Sequence, residues 1–257
     1  MTDLVDRTVA ALRAEHDLLV TLLPNLADDQ LTLPSGADGW TVAQVLSHLG
    51  SAAEILRKPI ARAVGEAVDD EDNQDVWARW DSSTPVDQVA GFVEHDRRYL
   101  ETAESLTPEQ RAATTVDLGF LPEPVPVQVA LAMRLNEVAN HSWDARVALD
   151  PGAEVTEQSA GVLIELFAGP IGFLLGFSGT VGAVASPVRL AVPGGGVVVE
   201  DSVGVVTSLA DPTATLHGPA GSVVRLLSGR LKAPYDQAVT VEGNVGLDDL
   251  RAVFPGY

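Results

Sequence analysis

The chain has 257 residues, 46% of them hydrophobic, which suits two domains with real cores and excludes disorder as its general state. Its formal net charge of −20 leaves no basic surplus to neutralise phosphate, so neither nucleic acid nor an anionic membrane surface is an expected partner. It has no cysteine, which excludes disulfides, cysteine–zinc modules and a protein thiol nucleophile.

The opening MTDLVDRTVAALRAEHDLLV carries acids where a signal peptide needs bases, and no apolar run reaches membrane-spanning length. A soluble, cytoplasmic protein is expected. Within residues 3–23, Leu4, Val5, Val9, Leu12, Leu18 and Leu19 recur at helical spacing until Pro24 ends the run. After the loop LPSGADG, Thr41 and Gln44 form a capping-box pair, with Trp40 packing on Val45 as a staple. His48 then lies about two turns inside the second helix. The acidic stretch Asp69 to Asp75 reads as a solvated loop. Thr84 before Pro85 starts a helix to about Ser105. PEPVPVQ cannot lie inside a helix and leads into a fourth, about Val127 to Leu149, which Asp150-Pro151-Gly152 ends.

The texture changes from about residue 183. PVRLAVPGGGVVVEDSVGVVTSLA reads as a hairpin or meander, followed by the strand TATLHG and a helix from Ala220 to Leu227. The turn SGRLKAPYD, the strand QAVTVEG and the short helix LDDLRAVF complete it. The apolar stretch 154–178 reads as helix broken at Gly169-Pro170, with no indication of the domain it packs on. The expected fold class is therefore α+β in two domains: a four-helix bundle over residues 1–152, a connecting helical segment over 153–182, and an α+β domain over 183–257.

Glu137 and His141 stand one turn apart in RLNEVANHSWDARVAL and project from one helix face. Among so many acids the pair means little by itself. His48 sits beside Val45, Leu49, Ala52 and Ile55, on or next to the buried stripe. One reading makes it a core histidine bonded to a backbone carbonyl or to Ser51. Likewise Arg134, three residues before Glu137, pairs with it if that face is a salt-bridged stripe. The other reading brings His48, Glu137 and His141 together, and two imidazoles with one carboxylate suit a catalytic zinc or a non-haem iron. Asp144 is then a carboxylate behind His141 that orients it or the substrate. Trp143 fits a lined cavity or a core. His16 and His95 lie beside acids and are expected to be exposed, and His217, before Gly218-Pro219, fits a turn.

GWTVAQVLSHLG and NEVANHSWDARVAL together resemble the mycothiol-dependent maleylpyruvate isomerase family, within the wider superfamily of DinB-like metal-binding bundles. The resemblance implies His48, Glu137 and His141 as metal ligands, with Trp143 and Asp144 completing the motif. ATLHGPAGSVVRLLSGRLKAPYDQAVTVEGNVGLDDLRAVFPG is similar to the family's C-terminal α+β domain, related to sterol-carrier-protein-like folds. The family uses an arginine from that domain at its active site. Arg230 in the L-x-G-R-L turn is the better match and Arg225 the weaker.

The resemblance further implies a divalent metal, zinc foremost, and mycothiol as an external thiol, which a chain without cysteine needs for thiol chemistry. The metal holds the sulfur as thiolate, which attacks an electrophilic carbon. An isomerase adds it to a conjugated cis alkene, rotates the new single bond and eliminates, whereas an S-transferase keeps the adduct. Arg230 is expected to hold a substrate carboxylate, and Trp143 to contribute to cofactor binding. The sequence leaves open a non-catalytic small-molecule-binding protein and a metal-dependent hydrolase using activated water. It says nothing of oligomeric state.

Overall fold

Polar N-caps organise the first half of the chain. Thr41 accepts from Gln44 N while the Gln44 side chain accepts from Thr41 N, the reciprocal pair anticipated for the start of the second helix. Thr84 caps the helix that begins with Pro85, and Thr107 with Gln110 caps a short one after it. In the computed structural model, which describes residues 3–256, the helices of this half are α1 (Leu4–Leu22), α2 (Val42–Ala63), α3 (Asn73–Asp81), α4 (Pro85–Ser105), α5 (Pro108–Ala113) and α6 (Val127–Val147). Helix α1 packs on α4 and α6, and α2 packs on the same two, giving a four-helix bundle. The segment PEPVPVQ contributes β2 (Val125–Pro126), which pairs antiparallel with β1 (Thr115–Val116).

The acidic stretch is exposed loop over 69–72, as expected, but its last residues, 73–75, open the helix α3. Asp72 caps α3 by accepting from Gln74 N, and the buried Lys58 ammonium donates to Asp69 at 2.5 Å. These contacts spend two of the acids on local structure. Trp80 of α3 then wedges between α2 and α4. A Cβ on Gly50 would lie 2.2 Å from its indole, and one on Gly91 2.7 Å, so the two glycines make room for it. The indole Nε1 donates to Glu54 at 2.8 Å, which also pairs with Arg79 and with His95. His95 is accordingly half-buried, not exposed, and burial pushes its imidazole below the ordinary range despite Glu54.

The chain divides between Asp150 and Pro151 into two compact units. The second contains α7 (Glu157–Phe167), α8 (Leu175–Ser178), β3 (Val188–Val192), β4 (Gly195–Val199), β5 (Val203–Val206), β6 (Ala214–His217), α9 (Ala220–Leu227), β7 (Thr240–Gly243) and α10 (Leu247–Val253). The sheet order is β5-β4-β3-β6-β7, with β3 and β6 parallel and the other neighbours antiparallel. The apolar stretch that the sequence left unassigned belongs here: α7 packs on α9 and β5. Arg225 of α9 is almost wholly buried, donating to both Glu154 carboxylate oxygens at 2.7 Å and to the Tyr235 carbonyl at 2.7 Å. This ion pair fastens the start of the unit to its helix. Among the described residues no single helix is long and apolar enough to cross a membrane.

Candidate metal centre

Helices α2 and α6 face each other in the bundle, and each brings donors to one point. Glu137 and His141, four residues apart on α6, share a face by helix geometry. His48, two turns into α2, meets them from the other side. One ligand atom from each of the three lies within 4.8 Å of the others. His48 Nε2 is 3.2 Å from Glu137 Oε2, and His141 Nε2 is 3.5 Å from the same oxygen.

Neither of the alternative readings of these residues holds. The His48 side chain is 37% exposed, and Ser51 donates to the His48 backbone carbonyl, so His48 is no sealed core histidine bonded to Ser51. Arg134 does not pair with Glu137. It is fully buried and donates to Asp96 of α4 at 2.7 Å. Asp96 also accepts from His16 Nδ1 at 2.8 Å, which makes His16 buried rather than exposed. Of its polar sequence neighbours, Glu15 is buried as well and only Asp17 is exposed.

Asp144 is fully buried and accepts from His141 Nδ1 at 2.8 Å. A carboxylate only accepts, so that nitrogen carries the proton. A neutral His141 therefore turns the lone pair of Nε2 toward Glu137. Burial disfavours the Glu137 carboxylate, but the two imidazoles against it, His141 and His48, outweigh this and hold it well below the usual range. An ionised carboxylate and an imidazole lone pair face each other at 3.5 Å, an arrangement that calls for a positive charge between them. Two imidazoles and a carboxylate, one imidazole steered from behind by a buried acid, fit a divalent ion with room left for water or a thiol.

Two contacts at the site have no signal in the helical pattern. Trp40, half-exposed at the end of the loop before α2, lies over both imidazoles. Its ring centroid is 5.1 Å from His48 and 5.9 Å from His141, nearly parallel to the latter at 19°. It is thus a wall of the site as well as the residue before the cap. Gly36 fixes the loop: its N–H donates to the Asp144 carbonyl at 2.8 Å, and a Cβ there would sit 2.9 Å from Trp143, Asp144 and Val147 alike. Trp143 is completely buried under this loop, so its indole presents no face to a ligand. In the second unit Arg225 is occupied by Glu154, whereas Arg230 is half-buried and touches the Ser228 carbonyl at 3.4 Å.

Fold and site together define an α+β protein built on a helical bundle that presents a candidate three-residue cation centre. The family profile described as "Mycothiol maleylpyruvate isomerase N-terminal domain" matches residues 12–146, a span that includes His48, Glu137 and His141. The chain belongs to this family. A crystal structure of the mycothiol-dependent maleylpyruvate isomerase shares the fold with a TM-score of 0.62 at 18% identity, covering 100% of both chains. A histidine-to-alanine mutant of that enzyme matches with the same TM-score, identity and coverage. No curated protein matches the chain.

Proposed function

We propose that this protein is a divalent-metal enzyme that uses an external low-molecular-weight thiol, mycothiol, on a small electrophilic substrate, with cis–trans isomerisation as its reaction. The observation that carries the metal is the His48–Glu137–His141 triangle with Asp144 behind His141. The thiol rests on the family, and on a chain that has no cysteine to supply a sulfur nucleophile.

In this reading His48 Nε2, His141 Nε2 and a Glu137 oxygen hold the ion, most suitably zinc. The bound ion supplies positive charge that keeps a thiol deprotonated at neutral pH. Asp144 holds the proton on His141 Nδ1 and so keeps Nε2 available as a donor. Trp40 covers one side of the imidazoles and limits water there. Arg230 holds a substrate carboxylate, and the engagement of Arg225 with Glu154 favours Arg230 for that role.

The test is metal analysis of purified protein followed by turnover of a cis-configured conjugated acid with and without mycothiol. One equivalent of divalent metal and strictly thiol-dependent isomerisation are expected, both lost in His48→Ala. Metal-free protein, or a His48→Ala variant with full metal content, overturns the metal assignment. Turnover without thiol points to activated water instead. A thioether product that accumulates points to transfer.

A further inference from the structure

One residue after His48 and one turn before Glu137, the bundle core is charged. Arg134 of α6 uses a single nitrogen, Nη2, to donate to the Leu49 carbonyl of α2 at 2.9 Å and to Asp96 of α4 at 2.7 Å. The second Asp96 oxygen accepts from His16 of α1 at 2.8 Å. The three side chains are 0%, 3% and 6% exposed, so all four bundle helices are tied at one sealed point. The guanidinium lies over the Tyr99 ring, 5.4 Å from its centroid.

This arrangement is a poor way to gain stability. Arg134 Nε and Nη1 and the Tyr99 hydroxyl are buried with no protein partner among the described residues. Unmet buried donors are costly, and an apolar residue of similar volume commonly serves a core as well or better. What an ion pair adds that an apolar contact does not is direction, because its bonds hold only at one registry of the helices that make them. The carbonyl that Arg134 grips belongs to Leu49, the next residue to His48. The helix it grips from is the one that carries Glu137 and His141.

We propose that Arg134, anchored by Asp96 and His16, is a positioning residue: it fixes the registry of α2 against α6 and so sets the separation of His48 from Glu137. The geometric part stands on the residues themselves. Its consequence for metal binding rests on the cation site proposed above, and the test separates the two.

The experiment is a crystal structure of metal-free Arg134→Met beside metal-free wild type, with zinc affinity measured by chelator competition. In the variant, His48 Nε2 is expected to leave hydrogen-bonding reach of Glu137 Oε2, from which it stands 3.2 Å in the parent. Its zinc Kd should rise tenfold or more, with a changed cobalt absorption spectrum. Leu12→Ala, a large-to-small change in the same core, is the control and should keep the parent separation and Kd. An unchanged His48–Glu137 distance in Arg134→Met overturns the proposal, as does an equal displacement in Leu12→Ala. If Arg134→Met does not fold, Asp96→Asn, which keeps the volume and removes the charge, is held to the same two outcomes. A wild type that binds no zinc defeats the cation site alone, and the metal-free distances still decide the role of Arg134.

Discussion

Trp40 lies almost parallel to His141, 19° from coplanar with ring centroids 5.9 Å apart, and it also contacts the ring of His48 at 5.1 Å. One indole thus restrains two imidazoles that arise from different helices. Removing it frees both rings and admits water to their covered side. Trp40→Ala is expected to weaken zinc binding by about tenfold, in the range typical for residues that support metal ligands. Trp40→Phe, which keeps a flat ring, should lose less. Chelator competition reads both, and the half-exposed indole offers a second readout. Copper(II) should quench emission in the parent more than in Trp40→Phe.

The bond from His141 Nδ1 to Asp144 decides which nitrogen faces Glu137. Asp144→Asn keeps the side-chain volume but presents either an amide donor or a weaker acceptor. It removes the charge that makes Nε2 a stronger donor. Metal affinity is expected to fall about 10- to 100-fold while the unfolding transition stays cooperative. An Asp144→Asn protein with parent-like affinity would show that Asp144 only fills space.

The legible parts of this fold are those that local chemistry dictates. The Thr41–Gln44 box and the Thr84-Pro85 start are short-range bonds between named neighbours, so their positions could be read from the chain. The Glu137–His141 spacing follows from helix geometry, and the motif around it singled out His48 as its partner. Contacts between elements were not legible. His16 and Arg134 carry polar labels that suggest the surface, yet both are sealed in the core because Asp96 waits for them on another helix. The α3 helix hides at the end of an acid run because its anchor Trp80 acts through tertiary partners, while its cap, Asp72 to Gln74 N, is a short local bond. Trp40 becomes a wall of the site only once Gly36 pins its loop to α6.

That pinning makes Gly36 a sharper test of the loop than any substitution in the loop's polar positions. An alanine there brings a methyl to 2.9 Å from three atoms, on Trp143, Asp144 and Val147. Real Cβ contacts are not that short, and two of the three neighbours are fully buried. The loop must lift, which carries Trp40 off the imidazoles. Gly36→Ala is expected to cost about 1–3 kcal/mol in stability by overpacking. It should also reproduce the metal-binding loss of Trp40→Ala, although Gly36 contacts neither His48 nor His141. The double variant Gly36→Ala/Trp40→Ala should bind zinc no more weakly than Trp40→Ala. Additive losses would mean that the loop and the indole act independently.

Asp96 sets the acid stability of the bundle. Burial alone would raise its carboxyl, but His16 and Arg134 outweigh this and hold it below the ordinary value of 3.8. A carboxyl depressed in the folded state binds fewer protons there than in the unfolded chain. Its contribution is therefore complete above 3.8 and disappears as pH falls through the lower folded value. Asp96→Asn should lose about 3–5 kcal/mol at neutral pH, because Arg134 then remains buried against a neutral amide. The difference from the parent should shrink as both are taken below pH 3.8. Denaturant unfolding at a series of pH values reads this directly. A parent curve and an Asp96→Asn curve that stay parallel into acid would mean that the carboxyl is not ionised in the folded core.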